Sequence, residues 1–421
     1  MRDLAPVRRD LFQLDLTAAE SGDEAIMNTI NQVTPQSAGA LTFSPDGVLF
    51  LGDNKLGAVF AFETERGQAP ASLDPFLFES IDEKIAAALG VTAKSLVMNG
   101  MALHPVTREP YLSVGVRNGD RLEPAVVSVS LAGEVRPFDL SSSKVTVHRL
   151  SDVPDEGKTF KSRAGSFPYP PAAVFDEKAR TPLRSMTIVD LKFHNGDVFV
   201  AGVSNQEFSS TLRRIPYPFT GTASETQLEI YHLAHGLYET RAPIRTMQFA
   251  TIDGEDTLVA AYACSPLVTI PVSELKHGAK VRGKTIGDMG NGQPISMVAY
   301  RDGDEDKLFI TNLGRGPMIV PLSGIRSAEG FTPENRPTQD KMLDQSPFMP
   351  AGPVGKQVLF VGSSLRADLF SDRFFVSLTR YADTGDLTLE TLMTSPLPAR
   401  LDKVWVEFDF PGAQFPSKPA A

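Results

Sequence analysis

The chain has 421 residues, 42% of them apolar and 22% charged, which excludes a disordered or fibrous protein. Its formal charge of −10 weighs against a sequence-independent grip on nucleic acid, which needs a basic surface. One cysteine, Cys264, excludes an internal disulfide framework, a Cys-rich zinc site, a protein-ligated iron–sulfur cluster and a C-x-x-C-H haem attachment.

The 33 Gly and 32 Pro interrupt helices often and suit short strands. No run of 18 apolar residues is present, so no membrane span is expected. The opening MRDL leads into no long apolar core and is no signal peptide as written. Periplasmic or secreted residence follows if a signal has been removed, and cytoplasmic residence otherwise.

In chain order, "DLFQLDL" at 10–16 reads as a strand. Residues 38–63, "AGALTFSPDGVLFLGDNKLGAVFAFE", read as strands around the tight reversal Ser44-Pro45-Asp46-Gly47. "ESIDEKIAAAL" at 79–89 is rich in helix formers and predicts a short helix. Residues 99–131 repeat the strand pattern, and 152–184 form a long mixed insertion.

Three further segments, 182–219, 243–275 and 294–325, share one order: strand, turn, strand, polar bend, strand. Met186, Met247 and Met297 fall at corresponding places. "IDGEDTLV" at 252–259 and "DGDEDKLF" at 302–309 are twin acidic hairpin turns, and neither has the spacing of a calcium loop. Residues 328–349 are a polar insertion, 352–391 carry looser strands, and "KVWVEFDF" at 403–410 is a last strand.

Repeats of about 45–60 residues with three or four strands each are propeller blades. A lone twisted sheet cannot bury both faces, whereas a ring of sheets buries each against a neighbour. The expected fold is an all-β propeller, with six blades as first choice and seven as the alternative. Residues 1–421 form a single domain in this reading. Clear repeats cover 38–325 and weaker ones 326–410, and pairing of 10–16 with 403–410 closes the ring, because closure satisfies strand edges.

The bend after the second strand carries Asn54, Asn118, Asn205, Cys264 and Asn312. The four asparagines can gather at the channel mouth to bind a polar ligand or a divalent cation such as Ca²⁺. Alternatively they serve their own turns. Arg184 and Arg245 precede equivalent methionines, with Arg315 near a blade end. They make a cationic cluster for an anionic ligand, or pair with acids between blades.

His232 and His235 lie three apart, where strand geometry would point them oppositely. That spacing favours His235, next to Gly236, as a pocket residue over a two-histidine metal site. His104 and His194 read as turn histidines at strand ends.

The pieces "ALTFSPDGVLFLGDN" and "KLFITNLGRG" resemble bacterial propellers of the YVTN and amine-dehydrogenase-like superfamily over residues 38–395. The resemblance implies the fold. It does not carry over redox activity, because the YVTN tetrapeptide, the haem motif and the residues of a quinone cofactor are missing.

The expected function is recognition of a small polar or anionic ligand, or a protein partner, through the channel mouth and insertion loops. The alternative is a central-channel enzyme, either a lactonase-like metal-assisted hydrolase or an oxidoreductase with an exchangeable cofactor.

Overall fold

The computed structural model describes residues 33–141, 144–161, 180–263, 265–290, 293–313, 315–342, 348–353, 355–357, 362–381 and 384–395. Within them the chain forms six antiparallel blades, each with four strands from the channel outward. Blade I comprises Leu41–Phe43, Val48–Asp53, Ala58–Glu63 and Val145–Arg149. Blade II comprises Leu96–Leu103, Pro110–Asn118, Arg121–Val129 and Val135–Pro137. Blade III comprises Asp190–His194, Asp197–Val203, Ser210–Pro216 and Ser224–His232, and two further strands pair with the last of these, Leu237–Glu239 antiparallel and Lys280–Arg282 parallel. Blade IV comprises Ile244–Ile252, Glu255–Tyr262, Pro266–Pro271 and Lys284–Asp288. Blade V comprises Pro294–Asp302, Glu305–Asn312, Met318–Pro321 and Lys356–Gln357. Blade VI comprises Gly362–Ser371, Phe374–Tyr381, Leu387–Met393 and, outermost, Leu77–Phe78.

The near-continuous apolar runs follow from burial on both faces. Successive side chains of a strand point to opposite sides of its sheet. Leu49 and Leu51 pack toward blade II with Ala102 and Val126. Phe50, between them, packs toward blade III with Val198, Val200 and Ile215. Blade IV repeats the division: Leu258 and Ala260 face blade III, while Val259 and Ala261 face blade V. Each fully buried side chain of this size contributes about 1.5–3 kcal/mol. The twin acidic hairpins are present, with Asp253, Gly254 and Gly303 at positive φ in their turns.

The blades are not laid down in ring order. Their inner strands touch in the sequence II, I, III, IV, V, VI and back to II. The chain builds three strands of blade I and supplies the outer strand of blade VI with Leu77–Phe78. It then builds blade II between those two and returns with Val145–Arg149 to complete blade I. Phe78 pairs with Leu389, and Leu77 with Glu390. An N-terminal segment thus closes the C-terminal blade. The expected partners for closure, 10–16 and 403–410, lie outside the described residues. The predicted helix is present as Ile81–Leu89, with Ile81 and Ile85 wedged among residues of blades II and VI.

The insertion between the third and fourth strands of blade V crosses to blade III. Phe331 and Met342 pack on Tyr231 and Leu233. Arg336 donates to the carbonyls of Leu233 (2.6 Å) and Ala234 (2.8 Å), gripping the turn between the outer strands of blade III. Among the described residues no helix is long and apolar enough to cross a membrane.

Candidate functional site

Two groups of side chains stand out, one in the central channel and one at the outer edge of blade III. Along the axis the six inner strands enclose two cavities of about 410 and 420 Å³. Arg366, Ala40 and Val189 border both cavities and mark the waist between them. The charged lining consists of Lys55, Arg108, Lys192, Arg245 and Arg366 against Glu123, Asp190 and Asp368. An acidic protein therefore has a channel with more cations than carboxylates.

Most of these polar groups tie blades together. Asn54 accepts from the Ile188 amide (2.7 Å) and donates to the Ile188 carbonyl (3.1 Å), joining blade I to blade III. Asp190 accepts from the Met247 amide (2.9 Å), joining III to IV. Ser296 Oγ donates to the Ala367 carbonyl (3.0 Å), joining V to VI. Asp368 accepts from the Leu103 amide (3.0 Å), joining VI to II. Asn99 donates to the Ala38 carbonyl (2.7 Å), joining II to I. Arg366 donates to the carbonyls of Asn99 and Ile295, spanning blades II and V.

Burial raises the Asp190 pKa, with Lys192 and two backbone amides opposing the rise. Burial lowers the pKa of Arg245 and Arg366, with Asp190 opposing it in both cases. Arg245 differs from the rest: it lines the channel and donates to no acceptor among the described residues.

The second group is His232, His235 and Glu239, one ligand atom of each lying within 4.8 Å of the others. The strand expectation of opposed imidazoles is corrected here. The chain leaves its strand at His232 and turns through 233–236, with Gly236 at φ 69°, bringing the rings to a centroid separation of 3.9 Å. Glu239, on the returning strand, reaches both rings: Oε2 lies 3.0 Å from His232 Nδ1 and Oε1 lies 2.5 Å from His235 Nδ1. Burial pushes Glu239 up, but hydrogen bonds and charge attraction from the two imidazoles together outweigh it and hold the carboxylate below its usual range. His232 is buried, while the His235 side chain is 43% exposed, so the cluster opens to solvent on one side. The signal for Glu239 was its place in His-x₂-His-x₃-Glu across a Gly-containing turn, legible only once that turn is recognised.

The other sequence candidates are dispersed. Asn54 lines one of the two cavities; Asn118, Asn205 and Asn312 line neither. Asn118 donates to Glu123 (2.8 Å), Asn205 accepts from Lys158 (2.6 Å), and Asn312 donates to the Ile310 carbonyl (3.2 Å). Arg184 donates to the carbonyls of Lys55 (3.1 Å) and Pro154 (3.0 Å) and does not line the channel. Arg315 is buried and donates to the carbonyls of Met289 (3.1 Å) and Phe348 (3.3 Å). Cys264 lies outside the described residues. Lys192 and Arg366, which sequence reasoning passed over, sit on inner strands of blades III and VI. Blade VI was the loosest repeat, so no register pointed to Arg366.

No protein-family model and no curated protein matches the chain. Solved structures do match it, at low identity. The mitotic checkpoint complex crystal structure is 10% identical over 92% of this chain and 99% of that one, with a TM-score of 0.33. The β-propeller domain of Myceliophteria thermophila Cps50 (Swd1) is 10% identical over 85% and 84%, at 0.35. Virginiamycin B lyase from Staphylococcus aureus is 9% identical over 85% and 96%, at 0.31. Superpositions of this quality carry nothing about activity, ligand or partner. The resemblance to YVTN and amine-dehydrogenase-like propellers has no counterpart among the family models.

Proposed function

We propose that the chain is a divalent-metal propeller that performs metal-assisted hydrolysis at the outer edge of blade III. The observation that carries this reading is the convergence of His232, His235 and Glu239 within 4.8 Å. Two imidazoles and a carboxylate form a donor set that zinc takes in catalytic sites, leaving a position for water. The same set suits calcium poorly, because calcium prefers oxygen ligands. A bound zinc ion would act as a Lewis acid and lower the pKa of its water to about 7. The chain's own contribution is to fix the three donors. Arg336 grips the turn that carries His235, and the Glu239 strand pairs with the His232 strand. The exposed edge of His235 gives a carboxylic ester or lactone access to the open position.

The test is metal analysis of the purified protein, with ester and lactone hydrolysis measured before and after chelation. The expected result is about one zinc per chain and turnover that is lost on chelation and restored by zinc. A metal content no higher in the wild type than in a His235→Ala variant would overturn the metal centre. Metal retained without hydrolysis would overturn the hydrolytic role.

A second reading, recognition of an anionic ligand without turnover, is favoured by the excess of cations lining the channel.

A further inference from the structure

We infer that the cavity on the Arg245 side of the channel waist is a binding site for a small oxyanion, a carboxylate or phosphate group, received by the Arg245 guanidinium. This deepens the recognition reading of the channel and is independent of any metal at blade III. Three observations support it.

The first is hydrogen-bonding capacity. A guanidinium carries five N–H donors in a fixed fork that matches carboxylate and phosphate geometry. Arg366 uses its donors on the carbonyls of Asn99 and Ile295. Arg245, also lining this cavity, has no acceptor among the described residues. Arg245 is half-buried and lines the cavity with its fork unspent, so an anion entering there would find the fork available.

The second is charge. Asp190 is the carboxylate whose charge acts on both guanidiniums, and the Arg245 charge opposes the ionisation of Arg366. Both oxygens of Asp190 are engaged by backbone amides, Met247 on one and Leu191 on the other. With Lys55 and Glu123 also lining this cavity, three cations stand against two acids, and an incoming anion relieves the excess. Lys192, on the other side of the waist, reaches toward the Met297 carbonyl (3.5 Å) and adds to the same field.

The third is space. The cavity holds about 420 Å³, within the range of small-molecule sites. Its opposite wall is built from Ala38, Gly39, Ala40 and Gly115, whose small side chains keep the volume clear. A Cβ at Gly39 would approach the Gly52 carbonyl to 3.0 Å, so the wall cannot easily be thickened there.

The experiment is calorimetric titration of the full chain in low-salt buffer containing a chelator, with inorganic phosphate and with malonate as probes. At least one probe is expected to bind with one-to-one stoichiometry, more weakly as sodium chloride is added. Binding of phosphate alone or of malonate alone identifies the oxyanion, and binding of both marks a site that reads charge and the guanidinium fork only. Arg245→Gln should weaken binding about ten- to hundredfold, as expected for losing charge-assisted hydrogen bonds. Its melting temperature should be unchanged, because Arg245 bonds to no acceptor among the described residues. Arg245→Lys, which keeps the charge and loses the fork, should show a smaller loss and tests the idea if the glutamine variant does not fold. Arg241→Gln, an exposed arginine paired with Glu207, should bind as the wild type does. Failure of both probes to bind, or equal binding by the Arg245 variants and the wild type, would overturn the site.

Discussion

His104 ends the inner strand of blade II and is almost completely buried, at 1% exposure. Its Nδ1 accepts from the amides of Val106 (3.2 Å) and Thr107 (3.1 Å), so that atom carries a lone pair and the proton sits on Nε2. Nε2 then donates to Thr64 Oγ1 (3.2 Å), which donates to the Gly47 carbonyl (2.5 Å). The neutral ring therefore links a turn of blade II to the first hairpin of blade I. Burial lowers its pKa, with a backbone carbonyl at Glu65 opposing the shift.

The sign of the pH effect follows. Above about pH 6.5 the ring is neutral in both states and its contribution to stability is complete. As the pH falls below that value the unfolded chain takes the proton first, and stability declines until the folded-state pKa is passed. Protonation turns Nδ1 into a donor and strands two amides, a loss of roughly 1–3 kcal/mol for such a group. Proton NMR of the histidine ring resonances, of which the chain has six residues' worth, measures this directly. His104→Asn identifies the resonance that disappears, and Asn Oδ1 can accept the same two amides without titrating. The His104 resonance should titrate below 6.5, and denaturant unfolding of His104→Asn should lose less stability between pH 7.5 and 5 than the wild type (assay pH values of roughly this range bracket the free histidine pKa). A His104 resonance titrating above 6.5, or equal pH slopes for the two proteins, would refute the assignment of the ring as a neutral acceptor.

Arg213 is fully buried, paired with Glu225 at 3.2 Å and close to the carbonyls of Val203 and Thr187. Arg213→Met should lower the unfolding free energy by about 3–5 kcal/mol in denaturant titration, because it leaves a carboxylate without its buried partner. Gly202→Ala should cost about 3 kcal/mol or more by the same measurement, since the new Cβ would lie 1.9 Å from the Thr187 carbonyl oxygen. Asp288 is raised by burial, opposed by hydrogen bonds from Ser265 and Gly290. Its folded pKa lies above the unfolded one, so its contribution is full below about pH 3.9 and falls as pH rises toward the folded value; Asp288→Asn should flatten that decline in unfolding curves taken across pH 4–8 (roughly the span above the free aspartate pKa). Phe76 stacks on Phe78 at 4.6 Å and meets Phe370 edge-on at 5.4 Å. Phe76→Ala should cost about 3 kcal/mol and speed proteolysis near residues 64–80, where the closing strand joins blade VI.

The propeller was legible because its cause is written in period-two runs such as "VLFLGD", whose alternate residues serve two neighbouring blades. The acidic hairpins and the helix at 81–89 were legible for equally local reasons: turn dihedrals and helix formers. Ring order was not. Leu77–Phe78 is two residues long, and nothing local distinguishes it from a loop until blade VI is there to pair with it. The blade III cluster was hidden by a secondary-structure assumption. Treating 232–235 as strand separates the imidazoles, whereas a turn at Leu233–Gly236 folds them together and brings Glu239 back beside them. The asparagines illustrate the opposite error. Equivalent positions in successive blades lie at equivalent places around the ring, and equivalence does not make side chains meet.

The same geometry explains why the axis of this ring is polar. Inner strands pair only with the second strand of their own blade, so neighbouring inner strands must be joined by side chains. Asn99, Asp190, Ser296, Arg366 and Asp368 on inner strands, with Asn54 just past the second strand of blade I, make most of those joins. A polar residue on an inner strand is therefore first accounted for as a tie between blades, and it becomes a ligand candidate only when its bonding capacity is left over. By that criterion most of the channel is structural. Arg245 is the cation that passes the test, because it lines the cavity and bonds to no acceptor among the described residues. If it were a structural tie like the others, Arg245→Gln would lower stability and leave oxyanion affinity alone; the reverse pattern is what separates a binding residue from a staple.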